Sequence, residues 1–174
     1  MFLLTAALAS AGTLAGVTLP DTASVGGQTV SLNGMGLREK YFLDIYVGGL
    51  YLAQKTHDGN AAISADTAKR VVMHFIYSKV TKEQMVEVFM EGFGDAATGS
   101  QKANIDKLMA AIPAEVHAGD EIAFDYVPGT GTTMLIKGKP SVTIPGSDFM
   151  KLVWGVYLGP KPPTPELKSG MLGL

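Results

Sequence analysis

Arg38 is a cation set in a stretch that otherwise reads as buried β-sheet: Leu32-Asn33-Gly34-Met35-Gly36-Leu37-Arg38, followed by Ile45-Tyr46-Val47-Gly48-Gly49-Leu50-Tyr51-Leu52. Burying an unpaired guanidinium costs several kcal/mol. Arg38 therefore either meets an internal carboxylate such as Asp44 or waits for the anionic group of a ligand, and the second case is a binding site. Farther along, Met85, Phe89, Met90 and Phe93 share a helical face. Thioethers and aromatic rings adapt to irregular shapes and can line an apolar pocket, although packing as plain core explains the same residues.

Other chemistries find little support. His57, His74 and His117 are far apart and form no metal-ligand spacing, so each reads as a structural histidine. There is no Gly-x-Ser-x-Gly elbow and, with no cysteine in the chain, no thiol nucleophile. Gly34-Met35-Gly36 and Gly129-Thr130-Gly131 are fragments of glycine-rich phosphate loops in hairpin contexts, and neither completes the motif. No motif calls for a metal or other cofactor. The net charge of -2, with scattered lysines and arginines, supplies no field for nucleic acid. At 174 residues, 47% hydrophobic and 17% charged, the chain suits one domain with a substantial core.

The elements that must position these residues follow from the pattern. Val17-Thr18-Leu19 leads to Ser24-Val25, a Gly26-Gly27 turn and Gln28-Thr29-Val30-Ser31-Leu32, and Asn33-Gly34 is the strongest two-residue hairpin signal. Strands are expected over 37–43 and 45–53, with Gly48-Gly49 marking a bulge or a close approach by something packed above. Residues 70–77 form another strand, after a loop containing His57-Asp58-Gly59-Asn60 and a short alanine-rich turn. Thr81 and Gln84 make a capping box for an amphipathic helix that ends at Gly94. A second helix carries Ile105, Leu108, Met109 and Ile112 and stops at Pro113. Strands over 121–127, 132–137 and 141–144 are separated by turn clusters. A last helix from Ser147 or Asp148 presents Phe149, Leu152, Val153, Val156 and Tyr157. The proline-rich residues 160–165 read as a stiff crossing to the C-terminal tail. This order predicts an α+β domain with helices on one face of a largely antiparallel sheet.

Residues 1–15 carry no charge and resemble the apolar stretch of a secretory leader, too short to span a bilayer. Ala9-Ser10-Ala11 before Gly12 fits small-residue cleavage, and Thr13-Leu14-Ala15 before Gly16 is a less typical second site. The basic residues that usually precede such a run are missing, as for a leader that starts upstream or is truncated; the plain alternative is an N-terminal strand or helix. A signal peptide over 1–15, a single domain over 16–174 and a periplasmic or secreted location are the expectation.

Three segments together carry a family likeness: the Leu32 to Arg38 run, then Tyr46-Val47-Gly48-Gly49-Leu50-Tyr51-Leu52, then Trp154-Gly155-Val156-Tyr157-Leu158-Gly159 with a closing Pro-x-x-x-Leu at 163–167. From Gly16 on, the chain resembles the bacterial chalcone isomerase-like proteins. The resemblance implies an open-faced β-sandwich, a large antiparallel sheet under a helical layer, with a ligand cleft between. In the plant enzymes of that family an arginine matching Arg38 binds the substrate oxyanion during cyclisation, and in the fatty-acid-binding branch it meets the carboxylate. The enzyme's threonine falls at Tyr46 and its lysine near His74. Its helix tyrosine and asparagine fall over 83–89, where this chain has neither, so chalcone cyclisation loses most of its positioning groups.

Three functions remain open. The first is an exported, non-catalytic protein holding a fatty acid or similar amphiphilic or aromatic anion, with Arg38, Tyr46, Tyr51, His74, Met85, Phe89 and Phe93 around it. The second is an isomerase or lyase in which Arg38 stabilises an oxyanion and Tyr46, Tyr51 or His74 transfers the proton. The third is a structural or partner-binding protein in which Arg38 closes a salt bridge.

Overall fold

The computed structural model describes residues 12–174, so most of the leader-like run, Ala9-Ser10-Ala11 included, lies outside the described residues. In chain order the elements are β1 (Gly12–Leu14), β2 (Val17–Leu19), β3 (Thr22–Val25), β4 (Gln28–Lys40), β5 (Leu43–Leu52), α1 (Gly59–Ser64), β6 (Lys69–Phe75), β7 (Lys79–Thr81) and α2 (Lys82–Phe93). After a 3-10 turn come α3 (Lys102–Ala111), β8 (Glu115–His117), β9 (Glu121–Val127), β10 (Gly131–Ile136), β11 (Lys139–Ile144), α4 (Ser147–Leu158) and α5 (Pro165–Met171). Seven strands make one antiparallel sheet in the order β11-β10-β9-β6-β5-β4-β3. Among the described residues no helix is long and apolar enough to cross a membrane.

Side-chain alternation divides the sheet into two cores. On one face Tyr46, Leu50, Val71, Met73, Phe75 and Phe124 pack under the helices, against Met85, Phe89, Phe93, Trp154, Tyr157 and Leu167. On the other, Val30, Val47, Tyr51, Val72 and Ala123 meet Val17 and Leu19 of the β1–β2 hairpin. Strand β5 is buried from Ile45 to Leu52 without alternation because both of its faces are covered. The hairpin also bears on the leader. Gly12–Leu14 pairs with Val17–Leu19, so a chain starting at Gly16 lacks that strand and one starting at Gly12 keeps it.

Three expectations are corrected. Asn33-Gly34 makes no hairpin; it lies inside the 13-residue β4, at an irregularity in its pairing with β5. The Asn33 amide accepts from the Thr56 N–H (2.8 Å) and donates to the carbonyls of Thr56 (2.9 Å) and Met171 (3.0 Å). A side chain at Gly34 or Gly36 would strike the backbone of α5 at Gly170 or Leu167, so these glycines are there for close packing. The turn comes instead at Tyr41-Phe42, with φ of 51° and 64°. Such a conformation costs a non-glycine residue roughly 1–2 kcal/mol.

The loop expected after Thr56 holds α1, capped by the Asp58 carboxylate, which accepts from the N–H groups of Asn60 and Ala61. The proline-rich crossing leads into α5, where Thr164 caps and Pro165 starts the helix. This is the mass over Gly48, where Leu167 and Met171 fill the space a side chain would need. Helix α2 has the expected capping box, and Met85, Phe89 and Phe93 face the sheet.

Candidate functional site

Between the sheet and helices α2 and α4 lies a cleft of about 210 Å³. Arg38 enters it from β4, Ile45 and Tyr46 from β5, Met73 and Phe75 from β6, Gln84, Met85, Val88 and Phe89 from α2, and Val156 and Tyr157 from α4. Lys40, Tyr41 and Leu43 stand at the hairpin end and Tyr77 and Val80 complete the wall. The volume is below the ~300 Å³ at which drug-sized pockets begin. Met73 and Met85, as unbranched thioethers, are the lining residues best able to adapt to a larger occupant.

Arg38 is half-buried, and its Nε is fully buried with no hydrogen-bond partner. Its cross-strand neighbour is Tyr46, and the guanidinium carbon is 5.6 Å from that ring's centroid. The expected Asp44 partner is exposed and pairs in register with Glu39; among the described residues no carboxylate comes within salt-bridge distance of Arg38. The pairing shift between Arg38 and Glu39 is the local cause. Ile45 is the extra residue there, and its carbonyl accepts from the N–H groups of Ile76 and Tyr77 instead.

Burial drives the Tyr46 phenol well above its ordinary pKa, with Arg38 opposing. Tyr157 is pushed the same way by burial, with the nearby Tyr46 adding to the rise and Arg38 opposing it. The Tyr157 hydroxyl donates to the Met73 sulfur at 3.3 Å. At neutral pH both phenols hold their protons, so they act as hydrogen-bond donors and not as bases. The lining includes no carboxylate, imidazole or thiol. It has two cations, Arg38 inside and Lys40 at the hairpin end, with neutral donors and an apolar wall.

The sequence matches the family model described as chalcone isomerase-like over residues 11–173. The chain belongs to the chalcone isomerase-like family. A solved structure, a fatty-acid binding protein of Arabidopsis thaliana, superposes on it with a TM-score of 0.74 at 15% identity, covering 94% of this chain and 96% of that one. That likeness establishes the chalcone isomerase-like fold, the sheet-and-helix sandwich expected above. No curated protein matches the sequence.

Within this chalcone isomerase-like fold the cleft gathers Arg38, Tyr46, Met85 and Phe89. Phe93 is buried one turn farther along α2, stacked on Phe89 with centroids 6.1 Å apart, and stays outside the lining. Tyr51 and His74 are on the other face of the sheet. Tyr51 donates to the Pro20 carbonyl (2.8 Å), and His74 Nδ1 lies 2.8 Å from Glu121 Oε1, directly opposite on β9. Period-two alternation from Tyr46 and Met73 already places both residues on that face. Tyr157 was missed as a site residue. Its hydroxyl on the buried face of an otherwise apolar helix is the signal, since such a group needs a polar partner or a cavity.

Proposed function

We propose that the cleft binds a fatty acid or similar amphiphilic carboxylate without turnover, the headgroup on Arg38 and the tail between sheet and helices. The observation that carries this is Arg38, a lining residue of an apolar cleft that meets no carboxylate and whose Nε is buried without a partner. A guanidinium presents parallel N–H donors that match two carboxylate oxygens. The Arabidopsis neighbour, named for fatty-acid binding, supports the same ligand class. An aromatic anion with a short apolar body satisfies the same donors. Export into the periplasm or beyond belongs to this reading, on the leader-like first residues; strand β1 favours a mature start at Gly12.

Titration with a fluorescent long-chain fatty acid tests it. Arg38→Ala is expected to weaken binding by about 1.5–3 kcal/mol, as for a charge-assisted hydrogen bond, with folding retained. Unchanged affinity combined with a much lower melting temperature makes Arg38 structural and removes the proposal. A ligand recovered chemically altered after incubation returns the isomerase or lyase reading.

A further inference from the structure

The β4–β5 hairpin ends in Lys40-Tyr41-Phe42-Leu43, where large apolar side chains are exposed together: Tyr41 is 84% exposed, Phe42 100% and Leu43 45%. Among the described residues the other such side chain is Leu174, at the chain end. The turn needs positive φ at both central positions, which asparagine and glycine supply with least strain. Here two aromatic residues occupy it. The tip is continuous with the cleft, because Lys40, Tyr41 and Leu43 line its mouth. Charges beside the tip cancel, Arg38 and Lys40 against Glu39 and Asp44, and the Lys40 ammonium lies 5.6 Å from the Tyr41 ring centroid.

The two rings offer roughly 300–500 Å², well short of the ~800 Å² per partner in a stable protein interface. A bilayer sets no such minimum. Protruding rings beside a lysine suit the boundary between headgroups and acyl chains, with the apolar bodies inserted and the hydroxyl and ammonium left among the headgroups. Balanced charges match a zwitterionic surface. We propose that the Tyr41-Phe42 tip docks the protein on a lipid bilayer and sets the mouth of the cleft at headgroup level. Docking stands independently of what the cleft holds; passage of an amphiphile from bilayer to cleft rests on the function proposed above.

Phe42 is outside the cleft lining, so Phe42→Gly, which also relaxes the turn, tests docking alone. With the full chain and phosphatidylcholine vesicles, the native protein is expected to co-sediment and Phe42→Gly to do so at least about tenfold more weakly, the loss expected for one buried aromatic side chain. Binding of a soluble fluorescent fatty acid should change by less than about twofold, as for a surface substitution. Phe42→Trp should show blue-shifted emission when vesicles are added, over a constant background from the fully buried Trp154. Native protein that stays in the supernatant, or a Phe42→Gly variant that sediments equally well, overturns docking. So does a dimer that Phe42→Gly abolishes in the absence of vesicle binding, since the tip then serves a second copy. Vesicle binding without fatty-acid binding upholds docking and overturns the function assigned to the cleft.

Discussion

Arg38 and Arg70 lie two strands apart in one sheet, on opposite faces, and their surroundings differ in one respect. Asp125 stands directly opposite Arg70 on β9, and the pair is bidentate, Nε to Oδ1 at 2.5 Å and Nη2 to Oδ2 at 2.6 Å. Opposite Arg38 stands Tyr46, which supplies a ring and no charge. On the Arg70 face Tyr51 and His74 also have partners. Satisfied polar groups of this kind fix a structure, whereas an orphaned buried donor is a cost that a bound anion can offset.

The sharpest way to break this contrast is to remove the carboxylate from the paired side. Asp125→Ala should lower unfolding free energy by about 3 kcal/mol, the low end for a broken buried pair because both partners keep some exposure. Arg38→Ala should shift it by less than about 1 kcal/mol, since no native pair is lost. Urea denaturation of both variants measures the difference, and equal losses would end the distinction between a structural and a ligand-seeking arginine.

A third buried cation sharpens it further. Lys69 is fully buried, donates to the carbonyls of Ala62 (2.8 Å) and Ile63 (3.1 Å), and has its ammonium 5.1 Å from the Trp154 ring centroid. Burial lowers its pKa from 10.5 to about 8, with the Asp66 carboxylate opposing. Between these values the unfolded chain holds a proton that the folded one has released, so Lys69 by itself should add about 2 kcal/mol of stability from pH 8 to 10. The phenols oppose it as pH 10 is approached and passed, because the unfolded chain loses protons that the folded state keeps on Tyr51 and Tyr126, each pushed up to about 12 mainly by burial, and on Tyr46 and Tyr157, raised by the same cause. Urea denaturation at pH 8 and pH 10 should therefore show the stability difference between the native protein and Lys69→Met shift by that amount in favour of the native protein.

The smallest effect separates cleft wall from solid core within one helix. Phe93→Ala should cost about 3–5 kcal/mol, the range for an aromatic removed from a packed site. Phe89 contacts Phe124 and Tyr157 edge-on but also borders existing space, so Phe89→Ala should cost about 1 kcal/mol less and admit longer fatty acids. A chain-length series alongside chemical denaturation reads both; identical losses and no change in length preference would make Phe89 ordinary core.

Much of the layer architecture was legible because it rests on local signals: the Thr81–Gln84 capping box, the spacing of Met85, Phe89 and Phe93, and the turn clusters flanking β10. Errors came where distant chain decided. Asn33-Gly34 has hairpin chemistry, yet Thr56 and Met171 claim the Asn33 amide and α5 needs the Gly34 backbone bare. Tyr41-Phe42 breaks turn preference, so no pattern based on preference finds it. Helix α5 could have been read, since Thr164, Pro165 and Glu166 supply a cap, a first-position proline and a first-turn acid. In the site, Arg38 stood out as a cation among apolar residues. That it lacks a carboxylate depends on the pairing shift beside Ile45, which no local pattern announces.

The bare glycines under α5 also set an order of events during synthesis. Asn33 and Met171, joined by a hydrogen bond, are 138 positions apart. At ~5–20 residues per second the ribosome takes roughly 7 to 28 seconds to traverse that distance. For all of that time β4 is made and its permanent cover is not, so the strand bearing Arg38 waits for residues 165–171 before the domain can close.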